Sequence, residues 1–209
     1  MSKLNENFIK AKEYIASLKN PSKDGDPGLP KGQTLTYGFP VLDLGVRPNI
    51  SKDKWSIKVY GNVENIIDIK YEDLIKMPYV DIDEDFHCVT HWSKKNVLWR
   101  GVKFNYIQNL VKPLSDTRFV LQEGYDSYTT NLPIDAMVKD NVILAYKLFG
   151  EDIPTLHGGL VRMIVPSRYG WKGSKFLSGI NFLKEDRPGF WEVRGYNNNG
   201  DFLKEERYS

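Results

Sequence analysis

Asp85-Phe86-His87-Cys88-Val89-Thr90-His91-Trp92-Ser93 runs into a polar hinge, Lys94-Lys95-Asn96, and then into Val97-Leu98-Trp99-Arg100-Gly101-Val102-Lys103-Phe104. This stretch holds the one cysteine of the chain, two of its three histidines and two of its five tryptophans. A run alternating hydrophobic and polar residues, through Val80, Ile82, Glu84 and Phe86, leads into Cys88 and predicts a strand that ends at the thiol. Strand ends are where a rigid scaffold presents chemistry. A lone thiol among aromatic rings is either an inert core residue, since free cysteine is among the most buried residue types, or the group on which a site is built.

Working outward, 209 residues (24.1 kDa) with 41% hydrophobic content suffice for one domain with a sizeable core. Lys plus Arg number 29 against 27 acidic residues, a net charge of +2, so no broad field draws in nucleic acid or an anionic membrane surface. Anion recognition has to come from local clusters. A single cysteine excludes an intramolecular disulfide, and no apolar run approaches the ~18 residues of a membrane span. The first twenty residues lack the apolar core of a signal peptide and a twin-arginine pair, which points to a cytoplasmic chain. Phe8, Ala11, Ile15 and Leu18 recur at helical spacing, so residues 1–30 read as an amphipathic helix packed on the body plus a Pro/Gly/Asp-rich loop, and residues 31–209 as the domain.

Within that domain, residues 55–61 alternate with period two and end at a turn glycine, and residues 66–69 follow, which predicts a hairpin. Residues 71–77 form a short helix stopped by Pro78, and residues 104–111 a second one stopped by Pro113, with Phe104, Ile107, Leu110 and Val111 on one face. Then come a strand at 117–121, a polar, aromatic loop at 124–133, a helix at 134–138 and a continuous apolar strand at 142–146. Many short strands without repeated strand-helix alternation give an α+β, strand-rich class.

His157-Gly158-Gly159-Leu160-Val161-Arg162, Val165-Pro166 and Tyr169-Gly170-Trp171-Lys172-Gly173-Ser174-Lys175 read as a strand flanked by two glycine-rich loops. Glycine lets a ligand approach the backbone, and His157, Arg162, Lys172 and Lys175 together with free amides suit a phosphate. Basic residues in glycine loops also suit ordinary solvated turns.

Cys-Val-Thr-x-Trp-Ser followed by Trp-x-Gly, then His-Gly-x-x-x-Arg, Val-Pro, Tyr-Gly-x-Lys-x-x-Lys and the closing Arg187-Pro188-Gly189-Phe190-Trp191-Glu192, resemble in order the motifs of the sulfite-oxidase-type molybdenum enzymes. The small prokaryotic members and the catalytic subunit of methionine-sulfoxide reductase are especially similar, and the resemblance runs from about residue 34 to 201. It implies the sulfite-oxidase molybdopterin-binding fold as a single domain and a molybdenum-molybdopterin cofactor. Cys88 would be the metal ligand, since thiolate suits a soft site. The same resemblance implies that His157, Arg162, Gly173, Ser174 and Lys175 contact the pterin and its phosphate. Tyr37, Phe39 and Pro40 would cover the pterin from an early loop. It also makes Tyr128, which matches a tyrosine pointing at the metal, and His91 the catalytic polar groups, with Thr90, His91 and Trp92 tuning the thiolate.

The implied reaction is oxygen-atom transfer on a small molecule, with a separate one-electron partner and no role for nucleic acid. Sulfite oxidases place arginines in the early loop and just after the ligand cysteine, because a dianion needs charge-assisted contacts. Here those neighbourhoods read Thr36-Tyr37-Gly38 and His91-Trp92-Ser93, with His91, Arg47, Arg100 or Arg168 left to compensate from another direction. A neutral sulfoxide or other oxo acceptor is therefore the expected substrate. The alternatives are a sulfite oxidase-like dehydrogenase, a non-catalytic molybdopterin carrier, and a ligand-binding module that uses neither thiolate nor metal.

Overall fold

The computed structural model describes residues 26–209. The helix expected around Phe8, Ala11, Ile15 and Leu18 lies outside them. The alternation through Val80 and Ile82 folds as β4 (Tyr79–His87), which pairs antiparallel with β5 (Trp92–Lys103) from Tyr79↔Val102 to His87↔Ser93. Cys88 stands in the tight turn between them. β5 is the spine of the first sheet, ordered β1 (Thr34–Leu35), β5, β8 (Ile143–Leu148), β10 (Arg162–Ile164), with β4 also on β5 and β9 (Glu151–Asp152) on β8. The second sheet is ordered β3 (Ile67–Lys70), β2 (Ser56–Gly61), β11 (Leu177–Leu183), β6 (Phe119–Gly124), β7 (Thr129–Pro133). The β1/β5 and β2/β11 pairs are parallel, and the others antiparallel.

The main core draws on both sheets. Ile57 and Val59 of β2 and Ile180 and Phe182 of β11 meet Val102 of β5 and Leu144 of β8, all buried. The unbroken apolar run of β8 is explained by burial on both faces: Leu144 and Tyr146 enter the main core, while Ile143, Ala145 and Leu148 enter a second cluster with Val97 and Trp99 of β5. Fully burying each such side chain stabilises the fold by roughly 1.5–3 kcal/mol. The helices are few: α1 (Tyr71–Leu74), α2 (Phe104–Val111) and α3 (Ile134–Met137). α2 buries Phe104, Ile107 and Val111, one face at helical spacing, and stops where Lys112 turns left-handed (φ 51°) ahead of Pro113. Among the described residues no helix is long and apolar enough to cross a membrane.

Three local readings change. The hinge Lys94-Lys95-Asn96 does not interrupt a strand but lies inside β5, opposite a bulge between Glu84 and Phe86. The Asp85 carboxylate accepts from the Asn96 amide at 3.0 Å, and Asn96 is left-handed (φ 53°), so the polar residues serve the bulge rather than a loop. Half of the expected loop 124–133 is β7, paired with β6. Nothing in the alternation announced β11, the central strand of the second sheet, because Ser178, Gly179 and Asn181 interrupt its apolar residues while the strand is packed on both faces.

Candidate active site

The turn after β4 is short and tightly bonded: the Cys88 amide donates to the Trp92 carbonyl at 2.9 Å and the His91 amide to the Cys88 carbonyl at 3.2 Å. Cys88, buried with Val89, Trp92 and Tyr169, opens onto a cleft walled by the early loop, the cysteine turn and the two glycine loops. Burial pushes the thiol pKa up, partly offset by the Thr90 hydroxyl 3.2 Å from Sγ and by the charges of Lys175 and Arg207. Phe39 and Pro40 of the early loop line the same cleft, as do Thr90 and Trp92.

His157, Arg162, Gly173 and Lys175 line it too, brought together from the two glycine loops. Burial pulls the Arg162 guanidinium down to about 10; one amino group donates to the His157 carbonyl at 2.7 Å, and its carbon lies 5.3 Å from the Trp99 ring centre. Lys175 donates to the carbonyls of Leu42 (2.9 Å) and Leu156 (3.2 Å), and burial followed by the charge of Arg162 pulls it down to about 8. His157 stacks on Phe39 (4.5 Å, 25°) and is held neutral, near 4, by burial and then by Lys175 and Arg162. Gly158 sits at φ 122° in the crook between the two cations, where a Cβ would stand 3.1 Å from Arg162 and 3.3 Å from Lys175.

Other expected residues stand elsewhere. Tyr128 lines the cleft, but its hydroxyl proton is given to the Trp171 carbonyl at 2.5 Å, so the geometry offers a tie across the wall and not a donor aimed at a ligand. His91 turns out of the cleft and shares a 2.8 Å hydrogen bond with the Gly32 carbonyl. Tyr37 is 91% exposed and does not line the cleft. Ser174 is buried behind it, its amide on Gln122 Oε1 and its hydroxyl on the Lys175 carbonyl. Lys172, fourth of the basic residues in the glycine loops, pairs at 2.5 Å with Glu192, both fully buried.

The cleft also uses residues that sequence reasoning passed over. Phe86, Trp171 and Tyr196 supply aromatic wall, and Asp126, whose carboxyl is pushed up to about 6 by burial, faces it beside Lys175. Phe86 was visible only as one apolar position in an alternating run. Asp126, two residues before the nominated Tyr128, carried no signal beyond its place in that loop.

Two properties bear on whether a phosphorylated pterin with a soft metal fits. No carboxylate among the described residues forms an ion pair with buried Arg162 or half-buried Lys175, although Asp43 and Asp126 act on Lys175 from a distance, and a buried guanidinium without a carboxylate partner is costly unless an anion joins it. A thiol, a soft ligand once deprotonated, lines the same cleft. The donor set therefore fits.

A model of the oxidoreductase molybdopterin-binding domain matches residues 44–191. An uncharacterized oxidoreductase of Bacillus subtilis, YuiH, is 35% identical over 192 residues, 91% of this chain and 97% of that protein. The catalytic subunit of the protein-methionine-sulfoxide reductase MsrP of Campylobacter jejuni is 27% identical over 166 residues, 71% of this chain but 56% of that protein. Among solved structures, the sulfane dehydrogenase SoxCD of Paracoccus pantotrophus superposes with a TM-score of 0.61 at 19% identity, covering 66% of this chain and 40% of the other; this likeness concerns the fold alone.

Proposed function

The chain belongs to the molybdopterin-binding oxidoreductases of the sulfite-oxidase type, and from that premise we propose that it transfers an oxygen atom to or from a small neutral substrate, a sulfoxide being the best fit, with Cys88 as the molybdenum ligand. When bound, the molybdenum-pterin group supplies the two-electron redox chemistry, and the protein supplies binding, orientation and electrostatics. For a sulfoxide the balance is one sulfoxide, two protons and two electrons giving a thioether and water, the electrons arriving singly from a redox partner.

In this reading Arg162 and Lys175 would take the phosphate and His157, backed by Phe39, would bear on the pterin, while Gly173 serves packing, since a Cβ there would collide with the Met163 carbonyl oxygen. Asp126 is placed to hold or release a proton near neutral pH. Tyr128, bonded to Trp171, keeps the aromatic wall in place.

The observation that carries the substrate class is the composition of the cleft. Among the described residues its only arginine is Arg162, already assigned to the phosphate, while Phe86, Trp92, Trp171, Trp191 and Tyr196 offer rings on which a thioether sulfur packs well. A dianion would find no second cationic cage. Protein purified from a molybdenum-replete host should carry about one molybdenum per chain, lost or spectrally altered in Cys88→Ser. With artificial one-electron dyes it should turn over sulfoxides much faster than sulfite. Efficient sulfite oxidation, with a Michaelis constant about the low micromolar end of the usual range, would overturn the substrate assignment.

A further inference from the structure

The turn that carries Cys88 is held by two segments outside residues 44–191, the span of the family match. Gln33, fully buried, donates from Nε2 to the Cys88 carbonyl at 3.1 Å and accepts at Oε1 from the Ser93 hydroxyl at 3.0 Å. His91 is left-handed (φ 69°), its ring bonded to the Gly32 carbonyl, and the Thr34 amide and hydroxyl donate to its own carbonyl at 2.9 and 3.0 Å.

Arg207 closes this arrangement from far along the chain. Its Nη1 donates to the Val89 carbonyl at 2.7 Å across 118 residues, and its Nη2 lies 3.4 Å from each of the carbonyls of Lys31 and Gly32. The guanidinium lies 4.8 Å above the Tyr169 ring, which packs against Cys88. Arg207 is only 6% exposed and forms no ion pair among the described residues; nearby Glu205 pairs with Lys31 instead, at 2.9 Å. Carbonyl dipoles from the early loop and from the residue next to the thiol are what face its charge.

We propose that Arg207 is a positioning residue for Cys88, its fork fastening the Val89 carbonyl to the backbone of residues 31–32 so that the turn presents the thiol to the cleft. The guanidinium suits this because it is planar and rigid, so one side chain meets several acceptors at fixed angles. Without it the carbonyls lose their shared donor and the turn opens more often. The functional importance of Cys88 rests on the reading above, but the positioning is measured without the cofactor.

The chain has one cysteine, so a thiol reagent reports on this turn alone. Protein from a host unable to make the pterin is labelled with Ellman's reagent across a range of pH as wild type, Arg207→Met, Arg207→Lys and Arg168→Met, each rate being referred to the thiolate present because the charge of Arg207 itself lowers the thiol pKa. Arg168 is a matched control: it ties the same C-terminal segment through Asn199 (3.0 Å) without touching the cysteine turn. Arg207→Met should label about tenfold faster, the size expected from losing one charge-assisted hydrogen bond. Arg207→Lys, which reaches one carbonyl but cannot fork, should fall between, and Arg168→Met should label like wild type. A wild-type rate in Arg207→Met, or equal acceleration in Arg168→Met, overturns the proposal, the second outcome because it signals general loosening. Should Arg207→Met not fold, Arg207→Lys decides, and a wild-type rate there overturns it as well. Finding no molybdenum in the holoprotein would sink the ligand assignment yet leave the labelling result intact.

Discussion

Lys172 and Lys175 stand three residues apart in one glycine-rich segment, and the fold gives them opposite surroundings. Lys172 points into the protein behind the cleft, where its ammonium meets Glu192, the Asn131 side chain (3.2 Å) and the Asn198 carbonyl (2.8 Å). Thr130 adds a hydrogen bond to the same Glu192 oxygen at 2.7 Å. Lys175, half-buried, faces the cleft near the buried Arg162 and hydrogen-bonds only to carbonyl oxygens. The first is a charge whose partner is part of the protein. The second has no carboxylate in contact, only Asp43 and Asp126 at longer range, and that difference sets the cleft-facing side of the segment apart better than residue type does.

The sharpest way to break this contrast is to remove each lysine in turn. Lys172→Met leaves Glu192 charged and buried, and breaking such a pair from one side costs about 3–5 kcal/mol, so the denaturation midpoint should fall steeply. Lys175→Met removes a partly desolvated charge that has no contact ion pair and should leave the midpoint unchanged or higher while cofactor content falls. Similar stability losses in both variants would erase the distinction.

Next in size is the anchoring. Arg162→Ala should weaken retention of the pterin by ~1.5–3 kcal/mol, roughly ten- to a hundredfold, in a protein that still folds. Pterin and molybdenum analysis of the purified variant checks this. Full occupancy would place the phosphate elsewhere.

The contrast also has a pH signature in the cofactor-free protein. The folded-state value of Lys175, about 8, lies below its ordinary 10.5, so between those values the unfolded chain binds more protons. Stability should therefore rise with pH across that window, by roughly 1–3 kcal/mol after allowing for solvent screening. Wild type minus Lys175→Met in thermal melts isolates the effect. A flat difference curve would mean that the ammonium is better solvated than its surroundings suggest.

The smallest effect is expected at an arginine that resembles Arg162 only in name. Arg100 grips Asp81 with two hydrogen bonds, 2.8 and 2.9 Å, on the exposed face of β5. Solvent screens this pair, so Arg100→Gln should leave the melting temperature and the cofactor content where they are.

Much of the fold was legible because its signals are local. The helix at 104–111 follows from one apolar face and a proline just past its end, and the hairpin of β2 with β3 from alternation broken by a glycine turn. The strand running to Cys88 was equally plain. β11 was not, since a strand covered on both faces and punctuated by serine, glycine and asparagine has no period to detect. In the cleft, motif order was enough to nominate Cys88, Phe39, Pro40, His157, Arg162, Gly173 and Lys175, which tertiary structure brings to one cavity.

What the sequence determined by itself was the class of the domain, the single thiol and the set of cations available to an anion, because composition, periodicity and motif spacing are properties of neighbours along the chain. Which cation has a carboxylate in contact, where the Tyr128 proton goes and what holds the cysteine turn were decided only in three dimensions. Each depends on a partner far away in sequence: Glu192 for Lys172, the Trp171 carbonyl for Tyr128, Arg207 and Gln33 for the residues beside Cys88. Burial and hydrogen bonding are set by such distant pairs, and no local pattern carries them.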